Sequence, residues 1–210
     1  MAITFPASSH AVSATVTAPV GIADGDVLIA AALGVSASAI ATPAGWTQLA
    51  QPNLSTSRLG MFSRVVTDAA SEPASYPFTG WAAVGITRCA GVDPDAVLDS
   101  LVTTNATTND AIIPAVTTAT DGAAIVLAGY VSNPTIQISG ITQLWNESGI
   151  LGMFGEAQVT AGSSGARTVG SSGNETTAIG AMVALKPLPV PTPTIHVTGT
   201  ISIDLSIGIG

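Results

Sequence analysis

The tetrapeptide LGMF occurs twice in this chain, at Leu59-Gly60-Met61-Phe62 and at Leu151-Gly152-Met153-Phe154. Met and Phe each occur only four times in 210 residues, so a shared string that uses both is a poor candidate for coincidence. The surroundings agree. Thr47-Gln48-Leu49 precedes the first copy and Thr142-Gln143-Leu144 the second. Farther upstream, DGDVLIAAALGVS (24–36) matches DGAAIVLAGYVS (121–132); downstream, AAVGITRCAGV from Ala82 matches TAIGAMVALKP from Thr177. The offsets are 97, 95, 92 and 95 residues, in the same order along both halves. That pattern is an internal duplication with small loop changes.

The period of the apolar residues decides what is duplicated. Helical spacing is almost absent, and short runs rich in Val, Ile and Thr stand between Gly, Pro, Asn and Asp, the signature of strands and turns. Val12, Ala14 and Val16 alternate with Ser13, Thr15 and Thr17, as in a strand with one wet face. Residues 27–35 are continuously apolar and enter through DGD, which reads as a central strand after a turn. GWTQLAQ and RLGMFSRVV form a hairpin through PNLSTS, and WAAVGITRCAG adds a further strand. GVDPDAVLD (91–99) carries Asp-Pro turn chemistry and room for one helical turn. The second half repeats the program at 123–131, 141–145, 151–159 and 176–185, with the Gly/Ser-rich 160–175 expected as a loop.

About four strands per half make a thin core alone, but two four-stranded sheets can cover one another. The expected fold is therefore all-β: a jelly-roll-like antiparallel β-sandwich over 1–186, built from halves at about 24–93 and 121–187. In the LGMF strands, Leu and Met share one face and Gly and Phe the other.

Beyond the body, PLPVPTPT (187–194) places four prolines in eight residues, an extended and semi-rigid spacer. An arm, 195–210, follows. Ile195 and Val197, then Ile201, Ile203, Leu205, Ile207 and Ile209, alternate with polar residues or Gly. A lone strand with one apolar face is not stable in water. This one is expected to pair with its own body, a neighbouring subunit or copies of itself.

Composition excludes several function classes. A hydrophobic fraction of 47% and a mean hydropathy of +0.53 suggest a membrane protein, yet the longest apolar run, 27–35, is far short of the roughly 20 residues a helical span needs. Only 9% of residues are charged, against about 25% on average, which suits a protein packed against others. With five basic residues and a net charge of −8, the chain lacks the Lys/Arg clusters that nucleic acid requires. The start, MAITFPASSHAV, has neither a basic region nor a continuous apolar core, so no signal peptide is expected. The single Cys89 allows no internal disulfide and is expected to be buried.

No catalytic motif is present, and an enzyme is not expected. His10 and His196 have no Cys or second His at metal spacing, so neither zinc nor another cofactor is expected. Asp24/Asp26 and Asp93/Asp95/Asp99 lie beside Gly or Pro, where Asp makes turns; calcium is the lesser alternative. Trp46, Trp81 and Trp145 are expected to pack in the core or at sheet edges. The best candidate for a glycan-stacking patch is Tyr76, Phe78 and Trp81.

One resemblance joins these residues. Gly25-Asp26-Val27-Leu28-Ile29, Pro43, Gly45-Trp46-Thr47, Ser63-Arg64-Val65, Glu72-Pro73, Tyr76, Phe78-Thr79 and Gly91-Val92-Asp93 occur in this order. Over roughly 24–187 the chain resembles a domain of tailed-bacteriophage virion structural proteins of actinobacteriophage type, the minor tail proteins and head or tail appendages. The resemblance implies a virion structural role, with other virion proteins as partners; the particle exterior is expected from a body that faces solvent while the arm makes the attachment. A symmetric homo-oligomer fits it, a trimer of wound terminal strands being one arrangement. The arm would then add to a partner's sheet edge. The competing expectation is a carbohydrate-binding or adhesive module that touches a host-surface glycan.

Overall fold

The computed structural model describes residues 2–36, 38–100, 103–108, 110–132, 135–158, 160–171 and 177–190. The arm residues Ile195, Val197, Ile201, Ile203, Leu205, Ile207 and Ile209 lie outside them. Strands are numbered in chain order. The first half builds one main sheet from β1 (Thr4–Ala11), β3 (Val27–Val35), β4 (Thr47–Ala50), β5 (Asn53–Leu54), β6 (Ser57–Val65) and β8 (Ala83–Ala90). Their order is β1-β8-β3-β6-β4, with β5 also on β6. The second half builds another from β9 (Thr103–Thr107), β12 (Ala124–Val131), β14 (Thr142–Glu147), β15 (Leu151–Ala157) and β18 (Ala178–Leu185). Their order, β9-β18-β12-β15-β14, is the same path strand for strand. The duplication read from sequence is thus a duplication of topology.

The two sheets pack face to face, and alternation decides what each face touches. Val27, Ile29, Ala31 and Leu33 of β3, with Leu59 and Met61 of β6, meet Ala124, Val126 and Ala128 of β12 and Leu151 and Met153 of β15. Phe62 and Phe154 point the other way, each into an outer cluster of its own half. The opening tetrapeptide therefore divides as its period requires: Leu and Met lie between the sheets, and Phe lies outside. Both outer faces are covered in turn. β2 (Thr15–Thr17) and β7 (Ser75–Pro77) pair over the first sheet. Over the second lie β10 (Ala111–Ile113), β11 (Thr117–Thr118), β13 (Ile136–Gln137), β16 (Gly162–Ser163) and β17 (Arg167–Ser171). Covering both faces explains a composition so apolar: β3, β12 and β18 are buried on both sides, like the strands of a parallel sheet.

Several expectations need correction. The fold class is not among them: the sandwich is all-β and antiparallel, as expected. Each half fills a sheet of its own, so successive strands stay within one sheet rather than passing between two. The alternation at 12–17 is not one strand: β1 ends at Ala11, Val12 is exposed, and the chain turns through 12–14 to climb from the sheet edge to the cover layer. Residues 91–99 form turns and bridges without a helix; the 3-10 turn at Ala69–Ser71 is the one helical element among the described residues. Within 160–175, taken as a loop, β16 and β17 complete the cover of the second half.

The offset of the last repeated segment also shifts by one residue. Aligning Gly85 with Gly180 uses 95, yet Gly85 lies opposite Ala31 while Gly180 lies opposite Gly129. The partner of Ala128, which corresponds to Ala31, is Ala181. A one-residue slip in a strand exchanges its faces. Gly85 consequently looks into the space between the sheets and Gly180 into the outer cover, where a Cβ would meet Ile113 at 2.4 Å.

Candidate functional site

The residues that carry the family resemblance are largely gathered on the outer face of the first sheet. Arg64 sits on β6 and reaches Glu72 with two parallel bonds, Nε to Oε2 and Nη2 to Oε1, each 3.0 Å. Its remaining Nη1 donates to the Gly45 carbonyl at 2.9 Å, and the Tyr76 hydroxyl donates to Glu72 Oε2 at 2.8 Å. The Arg64 guanidinium lies 5.8 Å from the Tyr76 ring centre. The hydrogen bond that Arg64 donates to Glu72 raises the Arg64 pKa, and burial first, then Glu72, pushes the Tyr76 phenol up. A bidentate fork with a satisfied second acceptor is strong but rigid chemistry. It pins the loop before β4 and the segment before β7 to β6.

Around this network the aromatic rings close a small core. Trp46 meets Tyr76 edge-on at 5.5 Å, and Phe62 meets Trp81 edge-on at 5.4 Å. Trp81 lies over Gly60 and Gly34, where added Cβ atoms would approach it to 2.4 and 3.2 Å. Tyr76, Phe78 and Trp81 are 3%, 0% and 3% exposed. The glycan patch read from these three residues is therefore corrected: they hold the β2/β7 cover onto the sheet and offer no face to a sugar. Tyr76 and Phe78 pack on Trp46, and Phe78 and Trp81 on Phe62, a burial that the local sequence cannot distinguish from an exposed aromatic patch.

The acidic residues also have internal work. Asp24 accepts the Ala69 N–H and Asp121 the Ala161 N–H, both at 2.7 Å, the same long-range tie in both halves. Asp26 is 5% exposed, accepts the Ala23 N–H at 2.7 Å and pairs with Arg88 at 2.6 Å. Asp93 accepts the Asp95 N–H and pairs with Lys186 at 3.1 Å, a bond that holds its carboxyl below the usual range. Asp99 binds the N–H groups of Ala119 and Thr120. Among the described residues no three His, Cys, Asp or Glu side chains gather where they could hold a metal. Cys89 is fully buried, and burial, helped by the nearby Asp26 charge, pushes its thiol up.

The features that sequence reading missed lie along one seam of the sandwich, where edge strand β1 of the first sheet passes over edge strand β14 of the second. At one end His10 Nδ1 is 2.8 Å from Glu147 Oε2 while its ring stacks on Trp145 at 5.8 Å. Trp145 is 4% exposed and donates from Nε1 to Thr87 at 3.1 Å. The hydrogen bond from His10 lowers the Glu147 pKa. Trp145 corresponds to Ala50, since each follows a one-residue bulge and pairs with the Met of its LGMF. The second-half residue is the larger because Gly85, in the facing sheet, leaves room for it. At the other end the seam opens into a groove of about 440 Å³ lined by Ile3, Phe5, Leu144, Gly155 and Ala157, with Glu156 on the rim. A second, polar hollow of about 190 Å³ lies on the second-half cover between Asp110, Gln137, Ser139 and Thr168. The signal for the groove is present in hindsight: Leu144 is the bulge residue of the repeated Thr-Gln-Leu.

Comparison with known proteins adds no relative: no family model, curated protein or solved structure matches the chain. No helix among the described residues is long and apolar enough to cross a membrane.

Proposed function

We propose that this chain is a bacteriophage virion structural subunit, a minor tail or decorating protein on the exterior of the particle. It works by assembly rather than catalysis, as a homo-oligomer whose partners are other virion proteins and whose arm, 195–210, makes the attachment. The observation that carries this reading is the use of the motif residues. Gly45, Trp46, Arg64, Glu72, Tyr76 and Phe78 are joined in one scaffold network, with the three aromatic rings buried and the Arg64–Glu72 pair partly so, and the resemblance is that of a folded body. A body that is 9% charged and covered on four layers suits a protein surrounded by neighbours. The alternating apolar arm is suited to strand addition at a partner's sheet edge.

The test is to purify the tailed particles whose genome encodes the chain and ask whether it is part of them. Antibody labelling at a fixed position on intact particles, with the protein retained through density banding, is the expected result. A chain abundant in the infected cell but absent from banded particles would overturn the proposal.

A further inference from the structure

The cover of the second half is the larger of the two. β10, β17 and β13 form a three-stranded sheet there, where β2 and β7 alone cover the first half. Strand alternation gives this sheet an inner and an outer face. Ala111 and Ile113 of β10, Val169 of β17, and Ile136 and Ile138 at β13 are buried in the outer cluster of the second half. The residues between them lie on the other face: Asp110, Ile112, Gln137 and Ser139 are exposed and Thr168 is partly so.

Register arranges that outer face in rows. Gln137 is the partner of Gly170 on one side. On the other side Asp110, one residue before the Ala111–Val169 pair, comes level with the same glycine. A carboxylate and a carboxamide thus flank a position that has no side chain. Asp110 leans into it, so a Cβ on Gly170 would collide with Asp110 Oδ1. The backbone at Gly170 is outside the left-handed region and does not require glycine, which weakens a strand. What the missing side chain leaves is the polar hollow of about 190 Å³. In the next row Ile112, 58% exposed, stands beside its partner Thr168.

The lining selects a class of ligand. Among the described residues that form it, the one charge is the Asp110 carboxylate, which repels phosphate, sulfate and acidic sugars. A single carboxylate is also far from the six to eight oxygen ligands a calcium ion takes. The Ser139 and Thr168 hydroxyls and the Gln137 amide both donate and accept, while the carboxylate accepts only. Vicinal hydroxyls of a pyranose, each a donor and an acceptor, complement that set. The C–H face of such a ring needs an apolar neighbour, and Ile112 supplies one. The hollow is smaller than the roughly 300–1,000 Å³ of pockets that enclose a drug-sized molecule, so it has room for one sugar unit.

We propose that the outer face of the β10-β17-β13 cover is a binding site for a neutral saccharide. One pyranose unit sits over Gly170, between Asp110 and Gln137, with its apolar face toward Ile112. The site is separate from the buried cluster of Tyr76, Phe78 and Trp81, and the inference stands apart from the virion reading.

The test is an NMR titration of the isotope-enriched full chain with the methyl glycosides of glucose, mannose and galactose, and with the corresponding methyl uronides as acidic counterparts. The amide signals of Ile112, Gln137, Thr168 and Gly170 should move with at least one neutral glycoside and saturate below about 50 mM, as a Kd of about 1–10 mM requires. The matching uronide should bind several-fold more weakly. Asp110→Asn, which keeps the shape and removes the charge, should weaken the neutral sugar several-fold and erase the difference from its uronide. Gln137→Ala should weaken it as well. Both side chains are exposed, so these variants should keep the wild-type spectrum elsewhere. No saturable movement with any of the glycosides would overturn the proposal, as would movement confined to other strands. So would a uronide that binds wild type as well as its neutral counterpart, or binding that both variants leave unchanged. The measurement needs no particles, so a sugar site in a protein absent from virions would sink only the virion reading.

Discussion

Replacing Gly85 with alanine should destabilise this protein, although the local backbone argues for the opposite. A glycine within a strand costs about 0.5–1 kcal/mol relative to alanine, because it gives up more conformational freedom on folding. Gly85 lies inside β8 at an ordinary strand position, so in open space the substitution would stabilise. The space is occupied: an added Cβ would stand 2.4 Å from Trp145 Cζ2 and 2.6 Å from Cε2 and Cη2. The indole cannot swing away freely, since it is 4% exposed, bonded to Thr87 and stacked against His10. Forcing a methyl into a packed core typically costs about 1–3 kcal/mol, which exceeds the backbone gain. The net loss should lower the melting temperature by about 2–4 °C per kcal/mol for a chain of this size. Urea unfolding of wild type, Gly85→Ala, Trp145→Leu and the double variant closes a cycle. In the Trp145→Leu background the alanine should become neutral or stabilising, giving a coupling of about 2 kcal/mol within the range for residues in contact. A stabilising Gly85→Ala in the wild-type background, or an equal cost in both backgrounds, would refute the packing of the two sheets described above.

Three further outcomes are expected. Glu72→Ala removes the acceptor shared by Arg64 and Tyr76 and should cost about 1.5–3 kcal/mol in urea unfolding; Arg64→Lys, which keeps the charge but loses the fork, should cost a smaller part of that. Glu147 and Asp93 both have folded pKa values below their ordinary range, so their contribution is present above that range and is lost as pH falls through the lowered values. Acid unfolding should therefore shift to higher pH in His10→Ala, with the Glu147 carboxyl titrating higher by NMR; an unchanged Glu147 titration would show that the His10 bond does not form. Cys89 should resist thiol reagents at neutral pH until the protein unfolds, so labelling at the rate of a free thiol would contradict its burial.

How much of this was legible in the sequence depends on the range of the interaction that decides each feature. The turns at Asp24 and Asp121 were readable because Asp beside Gly favours a turn, but the bonds these side chains make reach Ala69 and Ala161, far along the chain, and no local rule gives them. The face assigned to each LGMF residue followed from a two-residue period alone. Tyr76, Phe78 and Trp81 were misread because an aromatic strand face looks the same whether water or a covering hairpin lies over it. β1 was missed for a related reason: TFPASSHA has no alternation to display, and its strand character comes from pairing with β8.

The sequence by itself determined that the chain is all-β, that it is made of two equivalent halves, and which residues of the repeated strands share a face. Those properties are set within a few residues by sterics and period, and they recur wherever the local string recurs. Only the tertiary structure decided that each half keeps its own sheet, that the last repeat is offset by one more residue, and that Trp145 fills the space Gly85 leaves. These depend on which surfaces meet across the sandwich. Two faces with the same alternation can pack in more than one register, and the choice between them is made by the volumes brought into contact.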